Sequence, residues 1–173
     1  MLARVLSAAL VGVEAALVRV EVDVSSGLPA FTVVGLPDSA VRESRERVRT
    51  AIRNAGFPFP PDRVTVNLAP ADIRKEGASF DLPIALGILT ATEIVRSRVG
   101  PFAVIGELAL DGQIQVVRGT LAVGLACRRQ RIPTLLVPLD NGAEAMAIDG
   151  VRVLAAATLR DAVALLNGSE RPQ

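Results

Sequence analysis

Histidine, tryptophan and tyrosine are absent from this 173-residue sequence, and cysteine occurs once, at Cys127. Those gaps exclude disulfides within the chain, Cys/His zinc sites, Ser-His-Asp triads and Cys-His dyads together. Lysine is almost missing as well. Lys75 stands against 18 arginines, so any chemistry that needs a deprotonatable side-chain amine has one candidate. The aromatics are five Phe. Neither sign of charge dominates: 19 basic and 18 acidic residues leave a net +1, so no whole-chain field announces a nucleic acid or a membrane. The longest uncharged run, Val24 to Pro37, carries Ser, Gly and Pro and falls short of the ~20 apolar residues of a spanning helix. No signal-peptide pattern precedes it. A soluble cytoplasmic protein is expected, and a lone thiol suits a reducing compartment.

What is present is aliphatic. Half of the residues are hydrophobic, enough for one core. Val5 to Val11 and Ala15 to Val24 read as strands, the second alternating Val18, Val20, Val22 and Val24 with Arg19, Glu21 and Asp23. Phe31 to Val34 is a third. Asp38 is a suitable N-cap for a helix whose apolar face is Val41, Val48, Ala51, Ile52 and Ala55, stopped by Gly56 and the prolines of Pro58 to Pro61. Arg63 to Leu68 alternates as a strand. A second helix, about Leu82 to Val95, is apolar nearly all round and so belongs in the interior. Val104 to Leu110 and Gln113 to Val117 flank Asp111-Gly112, a strong hairpin signal. The last part alternates a helix over about Gly119 to Arg129, a strand from Thr134 to Val137, a short helical turn from Asn141 to Ala147, a strand from Val151 to Leu154 and a helix from Thr158 to Leu166. Antiparallel signals in front and β/α alternation behind predict a mixed α/β or α+β sandwich. Residues 1–167 form one domain in this reading, and 168–173 a polar tail or linker.

The sequence excludes several chemistries. A P-loop needs Gly-x-x-x-x-Gly-Lys-Ser/Thr, and Lys75 lies between Arg74 and Glu76. No Gly-x-Gly-x-x-Gly follows a strand. Asp72, Glu76 and Asp81 are the one acidic cluster that a loop could gather for magnesium, although capping and loop-bracing explain them as well. Ser79 sits on a Gly-containing loop at a helix start, where nucleophiles are presented, yet a serine needs a base. Lys75, flanked by charges, reads as solvated and protonated, and Ser79 reads as an N-cap. On the first helix Arg42, Arg45, Arg49 and Arg53 follow i, i+3, i+7, i+11 spacing and line one stripe. Such a stripe can grip phosphates, or it can be a solvated face tied by Glu43–Arg47 and Glu46–Arg49 pairs. No aromatics interleave with it in the sequence, which argues against a stand-alone single-strand binder.

Five runs, in order, carry a resemblance: Val34-Gly35-Leu36-Pro37-Asp38, Glu43 to Arg49, Asn67-Leu68-Ala69-Pro70-Ala71-Asp72, Lys75-Glu76-Gly77 with Phe80 to Ala85, and Gly106 to Leu110. Over about residues 1 to 166 the chain resembles the amino-terminal domain of the ComM/YifB family of magnesium-chelatase-like AAA+ ATPases. The resemblance implies a Lon peptidase-like fold that precedes an AAA+ domain in hexameric helicases promoting branch migration during natural transformation. ATP and magnesium are then expected only in that AAA+ domain, with no cofactor in these residues. The expected partners are the AAA+ domain, neighbouring subunits and DNA, through Arg42, Arg45, Arg49, Arg53, Arg74 and Lys75. Lys75-Glu76-Gly77-Ala78-Ser79 resembles the Lys-Asp-Gly-Pro-Ser nucleophile loop of Lon peptidases, with Ser79 at the nucleophile. The dyad lysine, however, falls at or beside Leu121, and Arg118 cannot stand in, because a guanidinium stays protonated. A non-catalytic accessory domain is the expectation, with a residual serine hydrolase using Ser79 and a metal-chelatase component as the alternatives.

Overall fold

A computed structural model describes residues 1–169. The chain opens with β1 (Leu2–Val11) and β2 (Glu14–Ser25), a long antiparallel hairpin in register from Leu2 opposite Asp23 to Val11 opposite Glu14. β3 (Ala30–Val34) leads into α1 (Ser39–Asn54), and β4 (Arg63–Ala69) returns between β3 and β2. The Asp38 carboxylate caps α1 as its sequence suggests, Oδ1 accepting from the Val41 N–H at 2.8 Å.

α2 (Asp81–Ala91) is buried on every side from Leu82 to Leu89. It stops short of the expected Val95. The Thr90 and Thr92 hydroxyls donate back to the carbonyls of Leu86 and Ile88. Glu93 then takes a left-handed φ of 64°, and the N–H groups of Ile94 and Val95 both turn back to the Leu89 carbonyl.

The expected strand Val104 to Leu110 is split in two. β5 (Phe102–Val104) runs parallel to β1 and to the later strand β8 (Thr134–Pro138), whereas β6 (Glu107–Leu108) leaves the main sheet and pairs with β7 (Ile114–Gln115) in a small hairpin. Gly106 is the break. Its N–H donates to the Ser79 carbonyl and its own carbonyl accepts from Leu82. A Cβ there would lie 2.9 Å from the Leu82 side chain and 3.0 Å from that of Ile114. The turn lies where expected but is wider than the two-residue Asp111-Gly112 loop: the Ala109 N–H donates to the Gln113 carbonyl, the Gly112 N–H to that of Ala109, and Asp111 Oδ1 accepts from the Gln113 N–H at 3.0 Å.

α3 (Thr120–Arg129), β8 (Thr134–Pro138), α4 (Gly142–Met146), β9 (Arg152–Ala156) and α5 (Leu159–Leu166) complete the chain. The main sheet has seven strands in the order β3-β4-β2-β1-β5-β8-β9, antiparallel at β4-β2-β1 and parallel elsewhere. Period-two alternation feeds two cores: Leu136 of β8 packs with residues of α1, α2 and α5, while Leu135 and Val137 pack with Val123, Ala126 and Cys127 of α3 and Ala145 of α4. The mixed α/β sandwich is therefore the observed architecture. The expected tail of residues 168–173 falls outside the described residues beyond Ser169.

Candidate functional site

Ser79 lines an open cleft of about 560 Å³ together with Asp38, Glu76, Gly77, Glu107 and Arg118, opposite Ala8 to Leu10 of β1. Its wall is built by main-chain bonds across the loop. Lys75 N–H donates to the Leu36 carbonyl at 3.1 Å, Asp38 N–H to the Lys75 carbonyl at 3.0 Å, and Gly77 N–H to Asp38 Oδ2 at 3.2 Å. Ser79 is not the N-cap of α2. That position is held by Phe80, without a side-chain cap bond, and Ser79 contributes its carbonyl to Gly106 instead.

Lys75 overturns the reading of a solvated side chain. It is fully buried, its ammonium donating to the Pro70 carbonyl. A charged residue can take this place because its long stem crosses the loop that starts at Pro70 and puts its head on the carbonyl. Burial pushes its pKa below the ordinary lysine value, opposed by the charge of Asp72. Buried in this way, Lys75 is no surface contact for DNA or a partner. Arg74 remains exposed, paired with Glu76 at 3.4 Å. Leu121, at the position matched to the dyad lysine, is 46% exposed on α3.

The three acids considered for magnesium go separate ways. Asp81 is fully buried and accepts from Ser44 Oγ at 2.5 Å, Arg47 Nε at 2.8 Å, Arg47 Nη2 at 3.1 Å and the Leu108 N–H at 3.0 Å. It braces α1, α2 and β6 at one point. No group of three His, Cys, Asp or Glu among the described residues is placed to hold a metal ion.

The sequence pattern missed this node, although a signal existed. An acid heading a helix without a wet face must be buried, and a buried acid needs a partner. Ser44 and Arg47 lie three apart on α1 near its apolar face and supply it. Arg47 also keeps the expected contact with Glu43, at 3.9 Å. The Asp81 carboxylate raises the Arg47 pKa further, and burial of Arg47 works against it.

The arginine stripe exists, and it stands on aromatics that the linear sequence hides. Phe31 of β3 and Phe59 after α1 stack with centroids 5.7 Å apart. The Arg49 guanidinium lies 5.9 Å from the Phe31 ring centre and 5.6 Å from that of Phe59, and Arg53 lies 5.8 Å from Phe59. Arg45 donates to the Phe31 carbonyl at 3.2 Å, and Arg42 to that of Pro37 at the same distance. The expectation that no aromatic accompanies the stripe is thus corrected: tertiary packing supplies two. Arg49 keeps its expected Glu46 partner at 3.4 Å.

Comparison with known proteins supplies the family. The model for subunit ChlI of Mg-chelatase matches residues 20–141, most of the chain. The chain belongs to the Mg-chelatase ChlI-like family. Within it, the chain is 46% identical over 171 residues to the competence protein ComM of Haemophilus influenzae, covering 98% of this chain and 33% of that protein. It is 41% identical over 170 residues to YifB of Escherichia coli, again covering 33% of that protein. This chain spans about a third of the length of these ChlI-like relatives. A more distant match, 30% identical over 134 residues, is to Lon protease 1 of Hydrogenovibrio crunogenus. That match agrees with a Lon-like domain fold. No helix among the described residues is long and apolar enough to cross a membrane.

Proposed function

We propose that this domain is a non-catalytic accessory module of a ComM-like AAA+ ATPase, positioning DNA, neighbouring subunits or partners around the motor in the cytoplasm. One observation carries the reading. Ser79 faces a peptidase-like cleft, while the only side-chain amine of the chain is committed to the Pro70 carbonyl in the interior. The matching dyad position is Leu121, and Arg118, which lines the cleft, cannot accept a proton. The remaining acceptors are carboxylates poorly matched in basicity to a serine hydroxyl, and Asp38 is already occupied by two N–H donors. ATP hydrolysis, magnesium binding, hexamer formation and branch migration belong, in this proposal, to the portion of the relatives' length beyond the matched third.

A serine-directed fluorophosphonate probe tests it. The chain and its Ser79→Ala variant are expected to label equally and at background. Labelling that depends on Ser79 would replace this reading with a serine hydrolase. Calorimetric titration with magnesium at millimolar concentration is expected to give no binding heat, and saturable binding would favour a metal-chelatase component instead.

A further inference from the structure

The shelf formed by Arg49, Arg53, Phe31 and Phe59 borders a second open cavity of about 440 Å³, also lined by Pro29, Pro60 and Asp62. Its ingredients are complementary to one class of ligand. Arg42, Arg45 and Arg53 have no carboxylate within ion-pair distance among the described residues; the first two are turned to main-chain carbonyls and Arg49 alone pairs, with Glu46. At the cavity, Arg49 and Arg53 meet Asp62 as the one lining acid, with Glu46 paired to Arg49. Guanidinium groups held 5.6–5.9 Å from aromatic ring centres have fewer rotamers open to them before any ligand arrives. In-plane donors in a fixed fork suit phosphate oxygens. Beside them, proline and the half-buried Phe59 make an apolar wall in a concavity large enough for one unstacked base.

We infer that this shelf binds a single-stranded nucleic-acid segment, with phosphates on Arg49 and Arg53 and a base against Phe59 and Pro60. The inference rests on the reading of the domain as one that positions DNA or partners, and it names the ligand and the face. A duplex keeps its bases stacked on one another and could use only the arginines. An acidic polypeptide would use the arginines but leave the wall unfilled.

Fluorescence anisotropy of the chain with labelled oligo-dT and with a duplex of equal length, each across a salt series, decides it. The wild type is expected to bind oligo-dT. Arg49→Ala with Arg53→Ala should lower the salt slope by about 1.4, two single-strand phosphate contacts at about 0.7 each. Phe59→Leu should weaken oligo-dT binding at least about fivefold, the lower end of one lost base stack, and leave the duplex unchanged. Arg49→Lys with Arg53→Lys keeps the charge and removes the guanidinium fork, and should lose affinity as well. Thermal melting of each variant verifies that it is folded. The inference is overturned if the wild type binds no oligonucleotide, if Phe59→Leu affects strand and duplex alike or neither, or if poly-glutamate competes as well as oligo-dT. Binding that survives the Arg49 and Arg53 changes but is lost in Arg74→Ala also removes the shelf, while sparing the DNA-positioning role. Ser79 labelling bears on the accessory reading alone.

Discussion

Asp81 offers the sharpest test of how the domain is held together. Its carboxylate is fully buried and accepts four hydrogen bonds that join α1, α2 and β6. Asp81→Leu strands the Arg47 guanidinium, the Ser44 hydroxyl and the Leu108 N–H. Removing one partner of a buried ion pair costs about 3–5 kcal/mol. The Arg47 side chain is 22% exposed and can recover some hydration, which places the expected loss at the low end, about 3 kcal/mol. At about 2–4 °C per kcal/mol for a chain of this size, the melting temperature should fall by about 6–12 °C. Arg47→Met alone leaves the carboxylate with Ser44 and Leu108 but no counter-charge, and should cost a comparable amount. The double variant replaces charge by apolar volume on both sides; with a coupling of about 3 kcal/mol it should be no less stable than either single variant, about 3 kcal/mol below the wild type instead of the additive ~6 kcal/mol. Urea unfolding followed by circular dichroism of the wild type, both single variants and the double variant completes the cycle. Strictly additive single effects would refute the buried pair as the unit of stability here.

Two further outcomes follow from buried titratable groups. The pKa of Lys75 is lowered in the folded state relative to 10.5, so the native protein binds fewer protons than the unfolded chain between the lowered value and 10.5. Its burial penalty is therefore present in full below that window and relieved as pH rises through it. Relative to Lys75→Met, the wild type should gain stability with rising pH across the window, as read by urea midpoints; a flat difference would refute burial of the amine. Cys127 is buried, and desolvation pushes its pKa up to about 11, so the native thiol should resist iodoacetamide at pH 8 and react once the chain is unfolded in urea. Rapid alkylation of the folded protein would contradict the packing of α3 on β8.

Local chemistry was readable in the sequence wherever a residue acts on its own neighbours. The alternation of Val18 to Val24, the cap at Asp38 and the Asp111-Gly112 turn all act within a few residues, and each appears where its pattern places it. The misreadings are long-range. Gly106 breaks an apparently continuous strand because Ser79 and Leu82 take its backbone groups. Phe59 joins Phe31 because β3 and β4 pair in parallel and bring the post-helical prolines under α1. Lys75 looked wet because its neighbours are charged, and the partner that buries it is a carbonyl, which no residue type announces.

Under the proposed accessory role, the stretch between Leu68 and Leu82 has a structural use. It carries five charged side chains, Asp72, Arg74, Lys75, Glu76 and Asp81. Two of them point inward, and each finds a different partner: Lys75 a carbonyl of its own loop, Asp81 a guanidinium from another helix. Buried charges without partners are costly, so both contacts fix the shape of the loop that carries Ser79 between them. The same contacts fix the fate of the amine. With its N–H on Leu36 and its carbonyl on Asp38, the Lys75 backbone is bridged to the strap before α1. Freeing the ammonium from Pro70 therefore does not free the residue, whose backbone stays bridged to the strap that shapes the cleft. A variant that weakens only the ammonium contact should leave Ser79 as unreactive as before. Lys75 and Asp81, the two inward charges of this stretch, thus hold up the wall on which Ser79 sits.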